Sequence, residues 1–263
     1  MTRLVVVGGG RMGHALIGGL LRSGWVDASE ITIAERLAPA REEIAQRFPG
    51  VVVVTEPVTA ASAVLAVKPP DAEAAARSVG AAGVPKVLSI MAGITIAQLE
   101  SWLPPATAVL RAMPNMPAIL GAAASAVAGG KSASEDDFAW AEAVLSSFGV
   151  VARVPEKLLD SVTGLSGSGP AYVFMLAEAM VEAGVAEGID RDVSRLLVTH
   201  TILGSARLLA ETGESPEVLR AAITSPGGTT AAGLRVLESH GLRSAIIEAV
   251  VAAAERAREL GQQ

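Results

Sequence analysis

Short apolar runs alternate with amphipathic stretches through the first 154 residues of the chain. Leu4-Val5-Val6-Val7 is apolar and β-branched, as a strand buried on both faces must be. Together with 3–7, comparable runs at 30–34, 51–54, 63–67, 86–90, 108–111, 124–128 and 150–154 predict eight strands. Apolar residues recur at helical spacing over 12–22, 38–47, 71–78, 95–101 and 134–147, between several of those strands. Strands alternating with helices predict a doubly wound, mostly parallel sheet. From residue 155 the pattern changes. Helices are expected at 156–163, 169–184, 190–211, 215–222, 229–239 and 241–260, with Asp190 and Ser215 as N-caps and Gly188 and Gly213 as stops. The chain therefore divides into an α/β domain, 1–154, and an all-helical domain, 155–263.

The helices at 169–184 and 190–211 are apolar around much of their circumference, and such helices need cover on more than one face. A helical domain of this length cannot supply that cover alone, which predicts an intertwined dimer. Composition supports a large aliphatic core: 51% of the 263 residues are hydrophobic and only 3% aromatic. A net charge of −6 argues against a general binder of nucleic acid or anionic membranes. Absence of cysteine removes disulfides, thiolate metal sites and a cysteine nucleophile. His14, His200 and His240 are scattered, so no zinc site is expected; His200 reads as a packed or capped histidine within a helix and His240 as solvated at a break. The apolar start is only a strand long and no run is long enough to span a membrane without charge or proline, so a cytoplasmic protein is expected.

Two glycine-rich segments carry the candidate chemistry. Gly8-Gly9-Gly10-Arg11-Met12-Gly13 stands between the first strand and the first helix in G-x-G-x-x-G spacing. Gly8 allows the tight turn, Gly10 the approach of a pyrophosphate, and Gly13 close helix–strand packing, which together predict a dinucleotide site. Glu35 and Arg36 end the second strand. An acid there favours NAD through the ribose hydroxyls, whereas an arginine accommodates the 2′-phosphate of NADP. The expectation is NADPH through Arg36, with NADH the alternative. Ala66-Val67-Lys68-Pro69, Ala92-Gly93 and Asn115 end later strands on the same carboxyl edge, where ligands of such sheets bind. Lys68 is a candidate for the phosphates or ribose, or a solvated lysine. Asn115 is a candidate for the nicotinamide amide, or a residue satisfying local backbone.

The second segment, Thr224-Ser225-Pro226-Gly227-Gly228-Thr229-Thr230, leads into a predicted helix. Free N–H groups at a helix start favour an anion, and the hydroxyls of Ser225, Thr229 and Thr230 add donors, so a seat for a small carboxylate is one reading and an ordinary capped helix the other.

These two segments, with Ala66-Val67-Lys68-Pro69, Arg111-Ala112-Met113-Pro114-Asn115 and Gly164-Leu165-Ser166-Gly167-Ser168-Gly169-Pro170-Ala171-Tyr172, closely resemble pyrroline-5-carboxylate reductase across essentially the whole chain. The resemblance implies reduction of L-1-pyrroline-5-carboxylate to L-proline by a nicotinamide cofactor, the last step of proline biosynthesis. It implies an N-terminal Rossmann-like domain and a C-terminal helical dimerisation and substrate domain, in homodimers built into larger rings. An active site formed between the cofactor domain of one subunit and the helical domain of its partner is also implied. By motif, Ser225, Gly228, Thr229 and Thr230 would hold the substrate carboxylate, with Thr230 near the ring nitrogen. Glu156 falls at an acidic position near substrate in some relatives.

A cyclic imine is basic enough to take up a proton near neutral pH, so the site need only position the ring and stabilise its nitrogen. Thr230 is accordingly expected as an orienting hydrogen-bond partner. A β-hydroxyacid dehydrogenase, the main rival on a similar fold, uses a helix lysine after its glycine motif as general acid. Here Pro170 to Phe174 offer none. A non-catalytic nucleotide sensor is the second rival, and the hydroxyls and glycines of 225–230 count against it.

Overall fold

The computed structural model describes residues 2–261. Eight strands form one sheet: β1 (Leu4–Val7), β2 (Ile31–Ala34), β3 (Val52–Val54), β4 (Ser62–Leu65), β5 (Lys86–Ser89), β6 (Ala108–Met113), β7 (Ala123–Gly129) and β8 (Gly149–Arg153). Its order is β3-β2-β1-β4-β5-β6-β7-β8. All neighbours are parallel except β6 and β7. The exception has a local cause. A parallel return needs a crossover of a dozen or more residues, and only a single 3₁₀ turn, Met116–Leu120, joins those two strands.

The helices of this part are α1 (Arg11–Arg22), α2 (Ala38–Arg47), α3 (Ala72–Ala81), α4 (Ile96–Trp102) and α5 (Glu135–Ser146). Alternation along the strands divides the core between the two sheet faces. Leu4, Val6, Ile31, Ile33, Val64, Leu88 and Leu110 pack with Leu16, Ile17 and Leu20 of α1 and with Val144, Leu145 and Phe148. Val5, Val7, Ala63, Leu65, Val87 and Val109 pack with Ala76 and Val79 of α3 and with Leu99 of α4. Capping boxes start the two helices that follow α3: Thr95 with Gln98 for α4, and Ser134 with Asp137 for α5. Burial alone would raise the Asp137 carboxyl, but the Ser134 hydrogen bonds and Lys86 outweigh it and hold it below its ordinary range.

The segment expected as one helix over 156–163 is broken into short pieces. A 3₁₀ turn, Glu156–Leu158, leads into one turn of α-helix, α6 (Leu159–Val162), and then a π-helical turn, Thr163–Gly167. Thr163 makes two of the bonds that set this path: its hydroxyl donates to Leu159 O (2.9 Å), and its carbonyl accepts from the Ser168 N–H (2.8 Å), five residues on; a wide turn of that kind often marks a functional position.

Contacts divide the chain into two compact units. One comprises the residues up to Ser168 together with the chain from Val251 onward, and the other is Gly169–Val250. The second unit contains α7 (Gly169–Ala186), α8 (Arg191–Thr212), α9 (Pro216–Ala222) and α10 (Thr229–Ser239), and α11 (Leu242–Gly261) begins in it. Asp190 caps α8 by accepting from the N–H groups of Asp192 and Val193, and Gly213 ends it in the left-handed conformation. Large apolar side chains of this unit face outward in the single chain: Phe174 is 57% exposed, Met175 73% and Ile247 65%. His200 is exposed on α8 rather than packed, because the buried residues of that helix are Ser194 and Val198. His240 is exposed, as expected at its break.

Candidate functional site

The sheet order reverses direction between β1 and β4, the two strands on either side of the switch. Ligands of doubly wound sheets bind at the carboxyl ends of strands at such a point. The glycine segment stands there. Gly8 donates its N–H to Ala34 O (2.9 Å), and Ala66, just past β4, donates to Val7 O (2.8 Å).

Gly8 has φ +105°, and a Cβ on it would stand 2.7 Å from Ala66 O. A Cβ on Gly13 would lie 2.3 Å from Gly8 O, so the start of α1 can pass the turn only without a side chain there. Gly10 differs: the space its Cβ would take is open. Gly10 also serves as the N-cap of α1, and no side chain caps that helix. Uncapped N–H groups and open space at one helix N-terminus fit a pyrophosphate.

A cleft of about 800 Å³ opens beside this loop. Of the residues expected from sequence, Gly8, Gly10, Arg36, Ala66, Val67 and Lys68 line it. Arg11 and Met12 open α1 next to it, and Pro69 begins the 3₁₀ turn Pro69–Asp71 that leads into α3. Ala92 and Gly93 follow β5 and Asn115 follows β6, on the carboxyl edge but outside the lining of the cleft.

Glu35 is held by backbone. Its Oε2 accepts from Gly9 N–H (2.9 Å) and its Oε1 from Leu37 N–H (2.9 Å). Arg41 braces the same turn by donating from Nη1 to the carbonyls of Glu35 (3.0 Å) and Arg36 (2.6 Å). Arg36 reaches from the end of β2 to an ion pair with Asp71. The positive charge at the glycine end does not come from His14. Burial first, and Arg47 second, lower its pKa below the ordinary histidine value, against a smaller opposing effect of Glu43.

Asn115 is occupied by local backbone, the plainer of its two readings. Its Nδ2 donates to Ser166 O (3.0 Å) and its Oδ1 accepts from Ala124 N–H (2.9 Å). It thereby ties the end of β6 to the π-helical turn and to β7. Glu156 also acts within the first unit: its Oε1 accepts from Ile96 N–H, at the start of α4 (2.7 Å), and from the buried Arg111 (3.1 Å). Arg111 makes a second ion pair with Asp160 (3.4 Å). A carboxylate on the first N–H of a helix and on a buried guanidinium holds the segment leading to Thr163–Gly167 against the sheet edge.

Sequence reasoning did not single out Asp71, Arg41, Thr55, Glu56 or Ser78, although all but Arg41 line the cleft and Arg41 braces its rim. Asp71 had a readable signal, since it closes the turn after the Lys68-Pro69 strand end. Arg41 had none, because an arginine one turn into a helix is ordinary.

In the second unit, Gly228 is the N-cap of α10 with extended φ/ψ, and no side chain caps that helix. A Cβ on Gly228 would stand 2.4 Å from Ser225 Oγ, which explains the glycine. The Gly228 N–H closes the turn on Ser225 O (3.1 Å), and Gly227 has φ +72°. Thr229 and Thr230 are the first two residues of α10. Backbone donors and three hydroxyls are thus gathered at one helix start, an arrangement that suits a carboxylate.

Among the described residues no group of three or more histidines, aspartates and glutamates could hold a metal. No helix among them is long and apolar enough to cross a membrane.

Residues 156–260 match the model for the pyrroline-5-carboxylate reductase dimerisation domain, and residues 3–93 match that of the coenzyme F420-dependent NADP oxidoreductases. The chain is 42% identical to the pyrroline-5-carboxylate reductase of Synechocystis over 99% of both chains. Among solved structures it resembles the pyrroline-5-carboxylate reductase of Coxiella burnetii (TM-score 0.93, 33% identity, 98% of both chains). It also resembles the pyrroline carboxylate reductase of Plasmodium falciparum, solved with NADP bound (TM-score 0.85, 26% identity, 99% of this chain and 98% of that one). The dinucleotide cleft and the helix that follows Ser225–Gly228 both lie within these full-length similarities, and the chain belongs to the pyrroline-5-carboxylate reductase family.

Proposed function

We infer that this chain reduces L-1-pyrroline-5-carboxylate to L-proline, the last step of proline biosynthesis, using a nicotinamide cofactor. The full-length similarity carries the inference, because it covers the cofactor cleft and the α10 seat together. The bound cofactor supplies the hydride. The chain's residues bind and orient the rest. Gly8, Gly10, Arg11, Met12 and Gly13 present the α1 N-terminus to the pyrophosphate, and Ala66, Val67, Lys68 and Pro69 flank it from β4. Ala92, Gly93 and Asn115 shape the neighbouring edge toward the nicotinamide. At the α10 seat, Ser225, Gly228, Thr229 and Thr230 hold the substrate carboxylate. Glu156 supports the site by fixing the start of α4 and Arg111 (2.7 and 3.1 Å).

The ring nitrogen takes its proton from water before reduction. Hydride then adds to the ring carbon, the C=N bond becomes single, and its electron pair stays on nitrogen as an amine. Thr230 Oγ1 orients that nitrogen. NADPH is the preferred reductant, because both oxygens of Glu35 are engaged by N–H groups while Arg36 lines the cleft in an exposed ion pair with Asp71 that a 2′-phosphate can replace. The division of labour falls near residue 155, with dinucleotide binding in 1–154 and substrate binding and dimerisation in 155–263. The enzyme works in the cytoplasm.

The test follows oxidation of NADPH and of NADH at 340 nm with L-1-pyrroline-5-carboxylate. Proline as product and a higher kcat/KM for NADPH are expected. Equal or higher kcat/KM for NADH overturns the cofactor preference, and absence of turnover with either overturns the reaction.

The helical unit assembles the enzyme. The outward apolar side chains of α7, α8 and α11 form a surface far richer in large apolar groups than a monomer ordinarily exposes. Two copies cover it in a dimer, and dimers join into a larger ring. Sedimentation of the purified protein at micromolar concentration is expected to show the dimer or a multiple of it; a stable monomer contradicts this assembly.

A further inference from the structure

Three acidic side chains line the dinucleotide cleft: Glu35, Glu56 and Asp71. Two of them are bound to neutral donors. Glu35 accepts from the Gly9 and Leu37 N–H groups, and Glu56 accepts from Ser78 Oγ (3.1 Å). Asp71 alone of the three pairs with a cation, Arg36.

The position of Asp71 makes this pairing informative. Asp71 is the N-cap of α3, where an aspartate ordinarily accepts from the first N–H groups of its helix, yet its side chain makes no capping bond. Its backbone N–H closes the turn on Lys68 O (2.9 Å), and its carboxylate reaches to the residue just past β2. β1 lies between β2 and β4 in the sheet, so the ion pair runs across the carboxyl end of β1. Both side chains are well exposed, Arg36 63% and Asp71 43%, which leaves the pair open to exchange with a ligand.

We propose that Asp71 sets the discrimination between the two nicotinamide dinucleotides by competing with the 2′-phosphate for Arg36. The proposal rests on the reading that Arg36 receives that phosphate. A dinucleotide without the phosphate leaves the Arg36–Asp71 pair intact and loses nothing to Asp71. A 2′-phosphate must draw Arg36 away from Asp71, and a carboxylate then remains close to a phosphate dianion. Asp71 therefore weakens binding of one cofactor and leaves the other alone.

Equilibrium titration of the full-length protein with 2′,5′-ADP and with 5′-ADP tests this without catalysis. Asp71→Asn keeps a good capping residue at the start of α3, so the variant is expected to fold, which its melting curve checks. It should bind 2′,5′-ADP about three- to tenfold more tightly, the effect of an exposed ion pair plus the relieved repulsion, with 5′-ADP unchanged. Arg36→Gln should weaken 2′,5′-ADP, and in that background Asp71→Asn should lose most of its effect. If Arg36→Gln weakens 2′,5′-ADP while Asp71→Asn changes nothing, the role of Asp71 is overturned and that of Arg36 stands. An equal gain for both nucleotides, or a full gain in the Arg36→Gln background, also overturns the competition, since Asp71 would then act as a general charge. If Arg36→Gln leaves 2′,5′-ADP binding unchanged, the Arg36 reading itself fails.

Discussion

Thr230→Ala is expected to lower kcat/KM for L-1-pyrroline-5-carboxylate by roughly ten- to a thousandfold, the range for one lost site hydrogen bond at about 1.4 kcal/mol per decade. The backbone of α10 is left as it was, so its uncapped N–H groups remain available to the carboxylate. What disappears is one hydroxyl at the second residue of the helix. If that hydroxyl orients the ring nitrogen as the carbon is reduced, kcat falls together with kcat/KM; if it serves only the carboxylate, KM rises and kcat is kept. Thr230→Ser restores the oxygen and should recover most of the rate. Steady-state kinetics on the three proteins decides, and wild-type values for the alanine variant would remove Thr230 from the mechanism.

A second large effect is expected at the glycine turn, where two substitutions that look alike in sequence should behave differently. A methyl group on Gly13 meets the Gly8 carbonyl at 2.3 Å, and backbone on both sides must move. Overpacking of this kind costs roughly 1–3 kcal/mol, or about 2–4 °C of Tm for each kcal/mol in a domain of this size. Gly13→Ala should therefore melt earlier and also bind NADPH more weakly, by about ten- to a hundredfold. A methyl group on Gly10 meets nothing in the chain itself. Gly10→Ala should melt like the parent protein yet lose a similar share of its affinity, because the methyl would stand where, on the proposed reading, the pyrophosphate comes closest. Thermal melts and NADPH titrations separate the cases, and normal binding by Gly10→Ala would move the pyrophosphate elsewhere.

The contrast between Gly13 and Gly10 also shows what the sequence could convey. The spacing assigned Gly13 a packing contact, which its 2.3 Å approach to Gly8 O bears out, and assigned Gly10 a ligand approach. The same local logic located all eight strands, because each is a short apolar run whose alternate residues fill opposite sheet faces, as Val5 and Val6 do. It located the helices of the second unit with their Asp190 cap and Gly213 stop. Less legible was whatever depends on contacts between distant segments. Asn115 is spaced like a ligand residue, but its amide is taken up by Ser166 and Ala124. Glu156 turned out to hold Ile96 and Arg111, residues 60 and 45 positions away. Glu35 and Arg36 were legible as candidates at the end of the second strand, yet the partners that orient them, Gly9, Leu37 and Asp71, come from the fold. The break in 156–167 had a fainter trace, since glycines and serines at 164–168 weaken a regular helix without specifying a π-helical turn.

The unit that contains the sheet is interrupted in sequence: it runs to Ser168 and resumes at Val251. Its resumed part, the second half of α11, places Leu260 and Gly261 against Gly93, in the loop at the carboxyl edge beyond β5, and Arg258 donates to Ser161 (3.5 Å). The final turns of α11 are thus a component of the unit that contains the sheet. During synthesis that unit lacks a piece until the ribosome has finished the helical segment between. Shortening or fusing to the C-terminal end of α11 would accordingly disturb the loop beyond β5 before it disturbed the helices that precede it.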